Sequence, residues 1–242
     1  MPEGPAINAM FGKIAGRYDL ANTLLSGGLC HWWARQLVRQ VRCTSTPNAF
    51  ITDLATGSGG IALALASALP QAAIHGFDFC EPMLAKAREK LARSALDNRD
   101  RVRFLHGDCM ALPLDSDSVD AITIAYGARN FQDRARGLQE FFRILRPGGS
   151  VFILEFSRPW CWFCPAYHFY NTHILPLIAH LTTGDKNAYD YLAASIKAFP
   201  GAEDFAHELQ TAGFSPVRFT RHSAGIIAIH RATKPANREV VK

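Results

Sequence analysis

Short apolar runs alternate along the chain with segments whose apolar residues recur every three or four positions. The runs Ala49 to Ile51, Ala72 to Phe77, Val102 to Leu105, Ala121 to Ala125 and Val151 to Phe156 have the length of strands and are bounded by turn residues. Between them Ile61 to Leu69, Pro82 to Leu96 and Leu138 to Leu145 read as helices. In Pro82 to Leu96 the proline suits the first turn, Met83, Leu84, Ala87 and Leu91 share a face, and Lys86, Arg88, Glu89 and Lys90 populate the outside. Pro147-Gly148-Gly149 is expected to stop the third helix. Strand and helix alternating in this way predict an α/β fold, its sheet largely parallel with helices on both faces. After the fifth run come a long insertion, Arg158 to Pro200, a helix near Glu203 to Ala212, and two further apolar strands, Pro216 to Arg221 and Gly225 to His230.

Composition changes this picture little. At 242 residues with 48% hydrophobic and 19% charged positions, the chain has room for one α/β domain with a substantial core. The expected organisation is a single domain over 1–242, with an N-terminal helical cap at 1–45 and a helical lid over the substrate at 158–200. No run of 18 or so apolar residues suggests a membrane span, and the N-terminus lacks a secretory pattern, so the expected location is cytoplasmic. The six cysteines are scattered and read as reduced; Cys161-x-x-Cys164 has the spacing of a redox or zinc half-site but no second pair, and two small apolar side chains are the favoured reading. No metal site is expected.

Charge is informative by placement. The net +5 is modest, and no nucleic-acid partner is expected from it. Within residues 1 to 50, however, Lys13, Arg17, Arg35, Arg39 and Arg42 outnumber Glu3 and Asp19, with Trp32-Trp33 among them. A basic helix with interfacial aromatics suits an anionic membrane surface; a helix packed on the domain with a solvated basic face is the competing reading.

The chemistry begins at Asp53-Leu54-Ala55-Thr56-Gly57-Ser58-Gly59-Gly60, which joins the first strand to the first helix, with Asp78 at the end of the next strand. Glycines allow a tight turn and close backbone approach to a ligand, the helix N-terminus favours electron-rich groups, and Asp78 is placed to accept hydrogen bonds from ribose hydroxyls. Gly57-x-Gly59-x-x-Ala62 also satisfies the dinucleotide fingerprint, so an NAD-dependent dehydrogenase and an S-adenosylmethionine-dependent methyltransferase both fit the loop, and a ligand-free turn competes with either. The tail separates the two enzymes: a terminal hairpin closing a five-stranded core matches the methyltransferase architecture, whereas a dehydrogenase would continue with further parallel units. Ligands on such sheets bind at the strands' carboxyl ends where strand order reverses, which directs attention to Asp53 to Gly59, Asp78, Asp108-Cys109, Ala125 to Asn130 and Glu155 to Ser157.

From Met10 to about His230 the chain resembles the ubiquinone and menaquinone biosynthesis C-methyltransferases. The resemblance is carried by Met10-Phe11-x-x-Ile14-Ala15-x-Arg17-Tyr18-Asp19 with Asn22, the glycine loop, Gly127-x-Arg129-Asn130, Arg146-Pro147-Gly148-Gly149, Leu154-Glu155-Phe156-Ser157, Tyr189-x-Tyr191-Leu192-x-x-Ser195-Ile196, and Gly225-Ile226 with Ile229-His230. It implies a class I S-adenosylmethionine-dependent methyltransferase fold, Rossmann-like, with a mostly parallel seven-stranded sheet and a C-terminal antiparallel hairpin. It also implies S-adenosyl-L-methionine as cofactor and C-methylation of a polyprenyl quinol ring, demethylmenaquinol first and the ubiquinol precursor second. By resemblance, Asp53, Thr56, Gly57, Ser58, Gly59, Asp78, Phe79, Met83, Asp108, Cys109 and Ala125 surround the cofactor. Arg129 and Asn130 are the catalytic candidates, and Tyr18, Arg129, Tyr167 and Tyr170 the substrate contacts. A guanidinium offers donors and no acceptor, so Arg129 is expected to stabilise developing phenolate charge rather than remove a proton. The bland alternatives are an Arg129 ion pair with Asp133 or Glu155 and an Asn130 cap on a helix from Phe131 to Leu138.

Two positions depart from the family pattern: Gly60 stands where an Asp is usual, with Asp19, Asp53 or Glu155 as candidates to compensate, and Ala128 where Leu is common. The stretch Trp160 to Leu181 is rich in aromatic and aliphatic groups but interrupted by Pro165, His168, Asn171, His173 and Pro176, so a bilayer span is excluded. A lid over an apolar pocket and an ordinary packed cap are its two readings. Peripheral contact with the inner face of the membrane and a homo-oligomer complete the expected partners.

Overall fold

The computed structural model describes residues 12, 16, 18–174 and 186–236. Two helices, α1 (Tyr18–Leu25) and α2 (Leu29–Arg42), precede β1 (Phe50–Leu54), α3 (Gly60–Ala68), β2 (Ala73–Asp78), α4 (Glu81–Arg93), β3 (Val102–His106), β4 (Val119–Ala125), α5 (Arg134–Ile144) and β5 (Leu145–Phe156). The insertion contributes a turn at Cys161–Phe163, α6 (Cys164–Phe169), a wide turn at Tyr170–Ile174 and α7 (Lys186–Ala198). The chain then forms α8 (Ala202–Thr211), β6 (Val217–His222) and β7 (Ile227–Thr233). Met10, Phe11, Ile14, Ala15 and Arg17 of the family motif, and residues 175–185 of the lid, lie outside the described residues.

All seven strands share one sheet in the order β3-β2-β1-β4-β5-β7-β6. The first five run parallel, and β7 pairs antiparallel with both β5 and β6. The chain builds outward from β1 through β2 to β3, then returns to place β4 on the other side of β1. Strand order therefore reverses between β1 and β4, and the crevice at their carboxyl ends is where such a sheet receives ligands.

Burial alternates along the strands as two covered faces demand. Phe152 and Leu154 of β5 enter the layer under α2 and α3 with Trp33, Leu37, Val41 and Leu65. Val151 and Ile153 enter the opposite layer, under α5 and α8 with Leu138, Phe141, Phe205 and Leu209. Local chemistry sets the helix ends: Pro82 lies in the first turn of α4, and Asp133 caps α5 by accepting from the Arg136 amide at 3.0 Å.

Three expectations are corrected. The helix predicted at Leu138 to Leu145 starts a turn earlier, at Arg134, because the Asp133 cap organises its first turn. It ends at Ile144 without Pro147-Gly148-Gly149, which lies inside β5 where the pairing with β4 shifts register. There Gly148, at φ 83°, donates to the Lys234 carbonyl at 2.8 Å, so the motif tethers the first part of β5 to the chain after β7. Trp33 is not an interfacial aromatic: it is 3% exposed and its Nε1 donates to Ser223 Oγ at 2.9 Å, while Trp32 remains 40% exposed.

One core residue makes stability depend on pH. His230 is buried between Phe205 and Phe219, with ring centroids 5.0 and 5.2 Å away, and its Nε2 lies 2.9 Å from the Ala202 carbonyl. Burial depresses its pKa from 6.5 to about 4; Arg221 adds to this, and the Ala202 carbonyl and Glu203 oppose it. The unfolded chain therefore binds a proton that the folded one refuses. The stability from neutral His230 is fully present above pH 6.5 and is lost as pH falls toward 4, by about 3 kcal/mol. In urea unfolding, the stability advantage of wild type over His230→Phe should shrink by that amount between pH 7 and pH 4; a constant difference would contradict the assignment.

Candidate active site

At the end of β1 the backbone enters conformations that favour glycine: Ala55 has φ 49°, Gly57 φ 55° and Gly59 φ 79°. A Cβ on Gly59 would lie 2.7 Å from Phe104 Cζ and 2.9 Å from Ala87 Cβ, so loop and α3 seat against β3 and α4 only without a side chain there. Asp53 supports the loop from beneath. It is 1% exposed, its Oδ2 accepts from Thr56 Oγ1 at 2.6 Å and its Oδ1 from Thr123 Oγ1 at 2.7 Å. Burial raises its pKa to about 6 against these bonds, so at neutral pH it is an anion that braces the loop.

Asp78, at the end of β2, meets the loop from the side. Its Oδ2 accepts from the Gly57 amide at 2.7 Å and its Oδ1 from the Cys80 amide at 2.9 Å. Burial raises its pKa, opposed by bonds from the Cys80, Gly57 and Phe79 amides and by His106. A buried carboxylate oriented by backbone amides, beside a glycine turn at the point where strand order reverses, fits the ribose end of an adenosyl cofactor. Met83, beneath Gly57, has its Cε 3.3 Å from where a Gly57 Cβ would stand, and Phe79 is half-buried next to Asp78. Cys109 is buried, its thiol pushed up to about 12, which leaves it an uncharged wall group. Asp108 is exposed and accepts from the Met110 amide at 2.9 Å, a local turn bond. Ala125 closes β4 opposite the loop.

Ser58 has partners outside the loop. Its hydroxyl donates to Asp19 Oδ1 of α1 at 2.7 Å and accepts from Lys90 Nζ of α4 at 2.8 Å, and Lys90 also pairs with Asp19. This triangle fastens the N-terminal helix to the glycine loop. A side chain at Gly60 would meet nothing within 4 Å, so the missing carboxylate is not excluded by space. Of the three candidates to replace it, Asp53 is engaged with Thr56 and Thr123 and Glu155 with Arg129, whereas Asp19 reaches the loop two residues before Gly60.

Beyond the β4 end lies a largely apolar cavity of about 540 Å³, walled by α1, the start of α2, the strand ends, the insertion and α7. Tyr18, Arg129, Tyr167 and Tyr170, the predicted substrate contacts, all line it. Arg129 is 5% exposed, and its Nη1 donates to Glu155 Oε1 at 3.0 Å and to the Tyr126 carbonyl. Its guanidinium carbon stands 5.4 Å from the centroid of the Phe156 ring. The alternative that paired Arg129 with Glu155 is thus realised, and the same arginine still reaches the cavity; Asp133 caps α5 instead. Asn130 is not a helix cap: it lies in a short turn, and its Oδ1 accepts from Tyr191 Oη of α7 at 2.9 Å, holding the insertion against the strand ends. Tyr170 makes a similar tie, donating to the Leu25 carbonyl at 2.6 Å. Burial raises the Tyr18 phenol pKa while Arg129 and Asn22 lower it, so the tyrosine stays neutral beside the guanidinium.

Tyr126, Cys30, Leu192, Ile196 and Ile226 also line the cavity; of these only Cys30 lies outside the motifs and strand ends to which the sequence points. Leu192 and Ile196 are one helical turn apart within a quoted motif, a spacing that marks one face of α7. Tyr126 directly follows the Ala125 strand end. Cys30 had no local signal, since what it faces is set by elements far away in the chain.

The family model described as "ubiE/COQ5 methyltransferase family" matches residues 3–234. A demethylmenaquinone methyltransferase of Thermus thermophilus is 42% identical over 93% of this chain and 100% of its own length. One from Clavibacter sepedonicus is 39% identical, covering 96% of this chain and 91% of its own. A ubiquinone/menaquinone biosynthesis C-methyltransferase UbiE of Geotalea daltonii is 38% identical over 96% and 97%. Among solved structures, methyltransferases from Thermotoga maritima and Methanococcus maripaludis share the fold. Their TM-scores are 0.63 and 0.65 at 17% and 19% identity, covering 93% and 95% of this chain and 99% and 95% of theirs.

Proposed function

The chain belongs to the ubiE/COQ5 methyltransferase family and is an S-adenosylmethionine-dependent C-methyltransferase of quinone biosynthesis, and on that basis we propose that it methylates a ring carbon of demethylmenaquinol in the cavity beyond β4. The observation that carries this reading is the pairing of an apolar cavity with one buried guanidinium in its wall. A polyprenyl quinol is an apolar molecule whose reacting ring gains negative charge on oxygen as its carbon attacks.

Gly57, Gly59 and Asp78 would hold S-adenosylmethionine, which would supply an electrophilic methyl group. The protein's own residues do the rest. Glu155 and the Tyr126 carbonyl fix Arg129 so that its positive charge faces the ring oxygen, where low dielectric strengthens the attraction. Apolar walls and the Tyr167 and Tyr170 rings exclude water and orient the quinol. Asn130, through Tyr191, and Tyr170, through Leu25, hold the described parts of the insertion against the cavity as a lid.

The same reading extends to the membrane, where such a substrate resides. No described helix is long and apolar enough to cross a bilayer. Yet among the described residues eight of the nine exposed large apolar side chains, all but Leu105, lie on α1, the start of α2 and residues 160–174, and Leu24, Leu29, Phe169 and Ile174 among them also line the cavity. With exposed Arg35, Arg39 and Arg42 on α2, this rim would rest on an anionic surface and open the cavity toward it.

The deciding assay incubates the protein with labelled S-adenosylmethionine and reduced short-chain demethylmenaquinone or a demethylated benzoquinone, in vesicles containing anionic lipid. Label should enter the naphthoquinol ring. If cofactor binds but neither ring is methylated, another substrate must be sought.

A further inference from the structure

The helix α1 is seated on the domain with little apolar packing. Ala21 is its one buried side chain, while Leu20 and Leu24 are 58% and 44% exposed. In α2, by contrast, Trp33, Leu37, Val38 and Val41 are all buried. Between the two helices stand Gly27 and Gly28, both left-handed at φ 57° and 81°, and a side chain at either would meet nothing within 4 Å. A firmly packed helix, an unencumbered glycine pair and a lightly packed helix make a hinge with α1 as its moving arm. With so little apolar burial, the docking of α1 depends on its polar ties.

Exposed Thr23 and His31 meet across the hinge at 3.1 Å, and in the last turn the Leu25 carbonyl accepts from Tyr170 Oη at 2.6 Å. The first turn is tied to the cofactor loop. Asp19 Oδ1 accepts from Ser58 Oγ at 2.7 Å, and Lys90 Nζ of α4 reaches both Asp19 Oδ2 and, at 2.8 Å, Ser58 Oγ. Ser58 is 4% exposed, so the Lys90 and Asp19 charges are anchored on a buried group of the glycine loop rather than left to pair in open solvent. Tyr18, beside Asp19, lines the cavity, and its phenol is within electrostatic reach of both Arg129 and Asp78. The first turn of α1 thus stands where the ribose site adjoins the cavity. Resting on the reading of that cavity as the quinol site, we infer that Lys90 is a positioning residue which, through Asp19 and Ser58, latches α1 over the cofactor and keeps Tyr18 in the cavity wall. A ligand that binds only the latched form also favours it, so with a weakened latch each ligand completes the site for the other.

The test uses full-length Lys90→Met, with Lys90→Arg as the conservative variant and Lys86→Met as a control, since Lys86 pairs with Glu89 on the exposed face of the same helix. In calorimetric titration Lys90→Met should bind S-adenosylhomocysteine about three- to tenfold more weakly than wild type, the effect of one part-exposed ion pair on closure. Saturating reduced short-chain demethylmenaquinone should restore the wild-type affinity, and kcat at saturation should be unchanged while KM rises. Lys90→Arg and Lys86→Met should keep wild-type affinity. Amide hydrogen exchange over residues 18–25 should be faster in Lys90→Met and slowed by S-adenosylhomocysteine. Asp19→Asn should weaken binding to the same extent and the double variant no further, because both break one latch. Unchanged affinity in Lys90→Met would overturn the inference, as would additive losses in the double variant or exchange over 18–25 equal to wild type. The affinity and exchange measurements need no quinol, so a wild type that binds cofactor and methylates no quinol defeats the quinol reading while they still decide the latch.

Discussion

Arg129→Met is expected to destabilise the protein by about 3–5 kcal/mol and to lower kcat about 10²- to 10³-fold. The two losses have different origins. Glu155 is 1% exposed and, without Arg129, keeps as donors only the Arg129 backbone amide and its neighbour Phe156. A buried carboxylate stripped of its counter-ion accounts for the stability loss. The loss in rate arises because no positive charge then faces the ring oxygen. Adding Glu155→Leu separates the effects: with both charges gone and the volume kept apolar, most of the stability should return in urea unfolding while kcat stays low. A double variant that regains activity would reduce Arg129 to a structural ion-pair partner.

The same pair shows why this arginine suits its position. A guanidinium has five donors and no acceptor, so it stabilises negative charge and does not take up a proton. Its Nη1 serves both Glu155 and the Tyr126 carbonyl, which fixes the plane of the group at the cavity wall. Lysine would carry the charge without that fork, so Arg129→Lys should recover stability better than rate.

How much of this was legible in the sequence depends on the range over which each feature is determined. The first five strands, α4 and the glycine loop were readable because apolar periodicity and turn residues are local. The loop and Asp78 could be joined across 21 positions because parallel strands place their carboxyl ends side by side. Pro147-Gly148-Gly149 misled because its partner is the Lys234 backbone, beyond β7, and proline with two glycines suits a strand irregularity as well as a helix stop. Trp33 and Trp32 are adjacent and chemically identical; Trp33 is the buried one because it shares a helical face with Leu37, Val38 and Val41, and its indole then finds the Ser223 hydroxyl 190 residues on. Asp53 opens the motif, which is a local signal, whereas its bond to Thr123 on the neighbouring strand is not legible locally. The four residues expected to contact substrate line one cavity because α1, the β4 end and the insertion converge there, which the sequence does not show.

Asp78→Ala should weaken cofactor binding by about 10²-fold or more, the loss of charge-assisted hydrogen bonds to two ribose hydroxyls. It should also destabilise the free protein, because the Gly57 and Cys80 amides lose their acceptor, at about 1–3 kcal/mol for each amide left buried and unpaired. Asp78→Asn keeps one acceptor but turns a donor toward the other amide, so it should lie between the two in stability and near alanine in affinity. The pH dependence gives a sharper result. Burial holds the Asp78 carboxyl above its ordinary range, and only its ionised form accepts from both hydroxyls at once. Affinity is therefore full above the raised pKa and lost as pH falls through it. Calorimetric titration with S-adenosylhomocysteine from pH 8 to pH 5 should show this weakening in wild type and not in Asp78→Asn. Asp53 titrates at about 6 beneath the same loop and is the competing source of such a trend. It survives intact in Asp78→Asn, so a pH dependence that persists there would belong to Asp53 and the loop it supports, and a flat profile belongs to Asp78.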